Sequence, residues 1–156
     1  MTKSGVSINW GGLKESVEKA AVEVGNAQGL MAKIGKAMKG HATRRFQAGA
    51  GPEGEKWKPL AGPRKNRKGR DGKPEKNPKP ILDTGRLRDS ISFSTTPSEV
   101  HVGSNLEYAR IHQLGGQAGR GRKVTIPARP YLGLSEEDRA EIANLVKQHL
   151  AGAFEK

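Results

Sequence analysis

The stretch that decides the fold is Ile81–Asp138, ILDTGRLRDSISFSTTPSEVHVGSNLEYARIHQLGGQAGRGRKVTIPARPYLGLSEED. Asp83 or Thr84 can cap a short helix over residues 85–89. Ile91, Phe93 and Thr95 then alternate with Ser92, Ser94 and Thr96, the period of a half-buried strand. Thr96-Pro97-Ser98-Glu99 turns the chain, and Val100 and Val102 alternate with His101, so a β-hairpin with one apolar face is predicted. Leu106–Leu114 reads as two turns of helix, ended by Gly115 and Gly116. Residues 117–123 read as a flexible basic loop, and Val124-Thr125-Ile126 as a third strand. Pro127 and Pro130 force an extended path around Ala128 and Arg129. Ser135 opens a last helix as N-cap with Asp138 at N3, and Glu136, Glu137 and Asp138 suit the positive end of its dipole. Ile142, Leu145, Val146, His149 and Leu150 form its apolar face.

Working outward, Leu13, Val17, Ala20, Val24, Ala27, Met31, Ile34 and Met38 recur at alternating steps of four and three, with Ala42 and Phe46 beyond. That spacing predicts a long N-terminal helix with one narrow apolar seam. Lys14, Lys19, Lys33, Lys36 and Lys39 fall off the seam. Gly25, Gly29, Gly35 and Gly40 each cost roughly 1 kcal/mol against Ala, so such a helix needs packing to persist and can break near Gly25 or Gly29. The seam serves either the chain's own core or a neighbouring subunit. Gly49–Pro80 is Pro- and Gly-rich and highly charged, which predicts an extended or disordered loop. Trp57-Lys58-Pro59-Leu60 stands out in it, with Trp57 expected as an anchor on the body. The fold class is therefore α+β: a long N-terminal helix and a small antiparallel sheet packed against a C-terminal helix, with a long basic loop. Three parts are expected: a helical arm over 1–50, the loop over 51–80 and the α+β body over 81–156.

The formal charge of +12 is unevenly spread. Residues 1–50 carry eight basic and three acidic side chains, residues 51–80 ten and four, and residues 81–156 ten and nine. The body is nearly neutral, and the arm and loop hold the basicity. Arg64, Lys65, Arg67, Lys68 and Arg70, with Arg120, Arg122 and Lys123, are the candidate surface for DNA phosphates or an acidic partner; a solvated linker is the bland alternative. No aromatic residues interleave the run, so a base-stacking platform is not indicated. The chain has no cysteine, which excludes disulfides and thiolate metal sites. His41, His101, His112 and His149 lack ligand-like spacing, so no metal or cofactor is expected. No secretory leader or membrane span is read, which predicts a protein kept in the cytosol of the cell that makes it. A body of this size is small for an independent core, so self-association is expected to complete it.

No catalytic set assembles. His112 lacks a nucleophile or carboxylate placed to use it, and a histidine hydrogen-bonded under the Gly115–Gly116 turn is the expected arrangement. Arg129, held between two prolines, suits a bidentate contact with phosphate or carboxylate, or a structural ion pair with Asp83, Asp89 or Glu107.

Four blocks in order carry a resemblance: Phe46 with Pro52–Leu60 (PEGEKWKPL), Ile81–Ile91 (ILDTGRLRDSI), Val102-Gly103-Ser104 with Tyr108–Gly115 (YARIHQLG), and Ile126–Ser135 (IPARPYLGLS). The chain resembles the phage virion morphogenesis, or tail completion, family of Mu-like and P2-like tailed phages. The resemblance implies a structural virion protein and not an enzyme, acting at the neck or head-proximal tail end where heads and tails join. It also implies a homo-oligomeric ring, commonly of six subunits, whose partners are the tail tube and the head connector, with DNA passing through the channel. The family pattern supplies no catalytic residues. Trp57, Arg86, Tyr108, His112, Arg129 and Tyr131 are the interface candidates, each of which can instead be core. A basic nucleic-acid-binding module is the rival reading.

Overall fold

The computed structural model describes residues 27–60 and 80–154. The first half of the helical seam, from Leu13 to Val24, and the basic run containing Arg64, Lys65, Arg67, Lys68 and Arg70 lie outside them. Helix α1 spans Ala27–Ala48. Short helix α2 spans Arg86–Asp89, and strands β1 and β2 span Ser92–Thr95 and Val100–Gly103. Helix α3 covers Ala109–Leu114, strands β3 and β4 cover Gly116–Ala118 and Val124–Ile126, and helix α4 covers Glu136–Phe154. The α+β class holds.

Helix α1 packs against α2, β1, β2 and α4, so its seam organises the core. Leu30, Met31, Ile34 and Met38 are buried against Ile142 of α4, with Leu134, Leu145, Val146, Val100 and Val102 around them. One turn further on, Ala42 and Phe46 enter a second cluster with Trp57, Leu87, Ile91, Ala109, Tyr131 and Leu132. Lys33, Lys36 and Lys39 face solvent, as the seam requires. The described turns of the seam thus serve this chain's own core. The helix runs through Gly29, Gly35 and Gly40 without a break. Gly35 has a packing reason: a Cβ there would stand 2.4 Å from the Phe93 ring, so only glycine lets β1 lie this close.

After α1 a tight reversal, bridged between Ala50 and Lys56, returns the chain on itself. It sets Trp57 against Phe46 edge to face, with ring centroids 5.7 Å apart. Trp57 is the expected anchor. Its Nε1–H donates to the Pro130 carbonyl at 2.9 Å, so the indole is satisfied while buried.

The first hairpin forms as predicted, antiparallel with Phe93 opposite Val102 and Thr95 opposite Val100. Helix α4 opens as predicted too: Ser135 Oγ accepts from the Asp138 N–H at 3.2 Å, and the Asp138 carboxylate accepts from the Ser135 N–H at 2.8 Å. Other expectations need correction. Gly85, in the left-handed region at φ 80°, is the N-cap of α2, while the Thr84 hydroxyl accepts from the Arg86 N–H at 3.3 Å. Helix α3 begins only at Ala109, because Leu106–Tyr108 form a turn closed by Ala109 N–H to Leu106 carbonyl. The third strand does not extend the first sheet. It pairs with β3 in a separate two-stranded ladder, Gln117 opposite Thr125. The segment read as a flexible loop is therefore a hairpin, whose tip turns at Gly119 and Gly121, both at positive φ. No described helix is long and apolar enough to cross a membrane.

Candidate functional site

The segment Pro127–Ser135 belongs to no helix or strand, yet much of it is buried. Its polar backbone must find partners elsewhere. Three side chains supply them. Gln113, buried on α3, accepts from the Tyr131 and Leu132 N–H groups at 3.0 Å each, and its amide donates to the Leu132 carbonyl at 2.9 Å. Arg45, buried on α1, donates to the carbonyls of Tyr131 and Gly133. Trp57 takes the Pro130 carbonyl. The Arg129 N–H donates to the His112 carbonyl at 2.8 Å. Tyr131 completes the brace by donating its hydroxyl to the Ala109 carbonyl at 2.9 Å, and burial pushes its phenol up to about 12.

The same Arg45 reaches Asp138, whose side chain is fully buried at the start of α4. His41 lies beside it, with Nδ1 close against Asp138 Oδ1 and Nε2 bonded to Glu141. Hydrogen-bond geometry at Asp138 is satisfied at Oδ2, by Arg45 and the Ser135 N–H, while Oδ1 has only the close approach of His41 Nδ1. The cluster locks α1 to α4.

Above the brace lies a cleft of about 190 Å³, lined by Leu60, Ile81, Arg86, Tyr108, His112 and Arg129 among others. Four of the six interface candidates, Arg86, Tyr108, His112 and Arg129, meet there. Trp57 and Tyr131 belong instead to the core cluster. Arg129 is fixed, as its flanking prolines imply, but among the described residues not by a carboxylate. Its Nε and Nη2 donate to the Lys58 and Pro59 carbonyls at 2.9 and 3.1 Å, which pins the end of the 49–60 segment. Burial lowers its pKa, though a guanidinium keeps its charge.

His112 does not hydrogen-bond under the Gly115–Gly116 turn. Its Nδ1 is buried with no partner, and the Tyr108 ring stands edge-on at 6.0 Å. Burial, and then the nearby Arg129 charge, hold the imidazole below its ordinary pKa and favour its neutral form. Among the described residues no group is placed to use it as a base, and no cluster of metal-ligating side chains forms. Arg120, Arg122 and Lys123 are exposed at the tip of the β3–β4 hairpin, away from this cleft's lining. Sequence reasoning missed His41, Arg45 and Gln113, and saw Asp138 only as a cap. Gln113 alone left a signal, a polar residue inside the short helix of a recognised block.

Trp57, Gln113, Arg129 and Tyr131 of these braces lie in the blocks that carry the family resemblance, and the chain belongs to the phage virion morphogenesis family, whose model matches residues 8–151. The protein accordingly has a phage structural or assembly role. It is 36% identical over 137 residues to the Mu-like prophage FluMu G protein 2 of Haemophilus influenzae, covering 88% of each chain. It is also 34% identical over 71 residues to the putative capsid assembly protein G of Escherichia phage Mu, covering 45% of this chain and 46% of that one. No solved structure matches the chain significantly.

Proposed function

We propose that this protein is a tail-completion or neck-ring subunit of a tailed phage, without catalytic activity, required for heads and tails to join. It closes a homo-oligomeric ring, of six subunits on this reading, at the head-proximal end of the tail. Its faces meet the tail tube and the head connector, and DNA passes through the channel. The observation that carries the reading is where the recognisable residues go. Trp57, Gln113, Arg129 and Tyr131 all spend their polar groups on holding backbone in place. A scaffold that is this heavily braced, and that uses His41, Asp138 and Glu141 to lock α1 to α4, suits a structural part.

Electron microscopy of lysates from a phage with a stop codon in this gene tests it. Separate filled heads and complete tails are expected. Normal infectious particles would overturn an assembly role altogether. Lysates without heads would move the step to capsid assembly and overturn the tail reading. The rival, a nucleic-acid-binding module, draws on the exposed Arg120, Arg122 and Lys123. It requires DNA affinity that falls steeply between ~50 and ~200 mM salt.

A further inference from the structure

The β3–β4 hairpin is left without a partner by everything described so far. From Gly116 to Ile126 every residue is exposed except the half-buried Ala118 and Ile126. Among the described residues its strands pair only with each other. A two-stranded hairpin is marginally stable in water unless a face of it packs on something. Val124 is 56% exposed, and Leu114 just before the hairpin 55%. Yet the base is held firmly. Gly115 sits at φ 72°, where an added Cβ would stand 2.7 Å from the Ala128 nitrogen, so the hairpin leaves the brace in one direction. A fixed projection carrying uncovered apolar side chains and an open strand edge is an interaction surface.

Charge says what covers it. Arg120, Arg122 and Lys123 cluster at the tip, and no acidic residue occurs between Glu107 and Glu136. Among the described residues none of the three cations makes an ion pair. The same chain carries a matching set of carboxylates at the start of α4. Glu137 is exposed, and Glu136, 93% exposed, meets Arg139 only at 3.8 Å. Glu141 follows one turn on, with its side chain 43% exposed. Phosphates would answer the charge, but would leave Val124, Leu114 and the strand edge in water. A protein surface can meet the charge and cover the apolar side chains as well.

We infer that the β3–β4 hairpin of one subunit docks on the acidic first turns of α4 in a second copy of this chain. The contact is heterologous, hairpin to helix, and repetition by rotation closes a ring. The inference rests on the ring reading above and names the surfaces that make it.

Two variants of the full chain, R120E/R122E/K123E and E136K/E137K, test the pairing by sedimentation velocity, with thermal melting as the check on folding. Each is expected to weaken self-association by at least about a hundredfold, because like charges then face each other. A chain carrying all five substitutions is expected to assemble again, since hairpin and helix are once more opposite in charge. A hairpin-reversed chain that keeps wild-type assembly overturns the inference and leaves the ring reading standing. Failure of the five-fold variant to recover also overturns it. Wild-type protein that stays monomeric at all concentrations removes the ring reading and this contact with it. Intact assembly combined with lost binding to a random-sequence DNA duplex makes DNA the hairpin's occupant instead, and overturns the inference.

Discussion

Gly116–Ile126 and Pro127–Ser135 adjoin in the chain, and they handle exposed backbone in opposite ways. The second has almost no regular structure, yet Gln113, Arg45 and Trp57 satisfy its peptide groups and it sits in the core. The first has a regular antiparallel ladder, yet almost nothing packs on it. Regularity and burial are separable: side chains can make irregular backbone rigid, and a ladder alone does not make a segment part of the fold. The braced segment keeps the subunit together, and the projecting one is what remains to join it to something else.

Substitutions sharpen the contrast, and the largest effect should come at Asp138. Asp138→Ala leaves the Arg45 charge buried without its carboxylate and removes the acceptor for the Ser135 N–H at the start of α4, and should cost about 3–5 kcal/mol in urea unfolding. Gln113→Ala strands the Tyr131 and Leu132 N–H groups and the Leu132 carbonyl. A loss of about 3 kcal/mol is expected by the same measurement.

A smaller effect should appear with pH. The folded state depresses the His112 pKa below its ordinary 6.5, so the unfolded chain binds the proton more tightly. The His112 contribution to stability is therefore fully present at the folded, neutral end. It is lost as pH falls from about 6.5 toward the depressed folded value. Unfolding free energy measured across that window should slope less in His112→Gln than in wild type. An unchanged slope would show that the imidazole is not held neutral. Smallest of all, R120A/R122A/K123A should leave subunit stability within about 0.5 kcal/mol of wild type while assembly weakens. A large loss of stability would mean the hairpin tip is braced like its neighbour.

Local spacing explains which of these features the sequence discloses. The Ser135–Asp138 box lies within three residues, and the α1 seam is a repeat of fours and threes; both are legible without a structure. Arg129 is legible as a fixed side chain because prolines flank it. Its partners, the Lys58 and Pro59 carbonyls, are main-chain atoms about seventy residues away that no pattern announces. The His41, Arg45 and Asp138 cluster joins residues more than ninety positions apart, and an exposed-looking helix N-terminus hid it. Strand β3 is hidden in the sequence for another reason. Gly116-Gln117-Ala118 contains no β-branched or aromatic residue, so propensity points away from a strand, and glycines that set the turn look like flexibility.

Hydrogen exchange of backbone amides, compared between dilute subunit and assembled particle, tests the contrast most directly. The Tyr131 and Leu132 amides, held by Gln113, should be slow in both states. The amides of residues 116–126 should exchange fast in the dilute subunit and become protected only on assembly. Equal protection of the hairpin in both states, or its continued fast exchange in the assembled particle, would contradict the account.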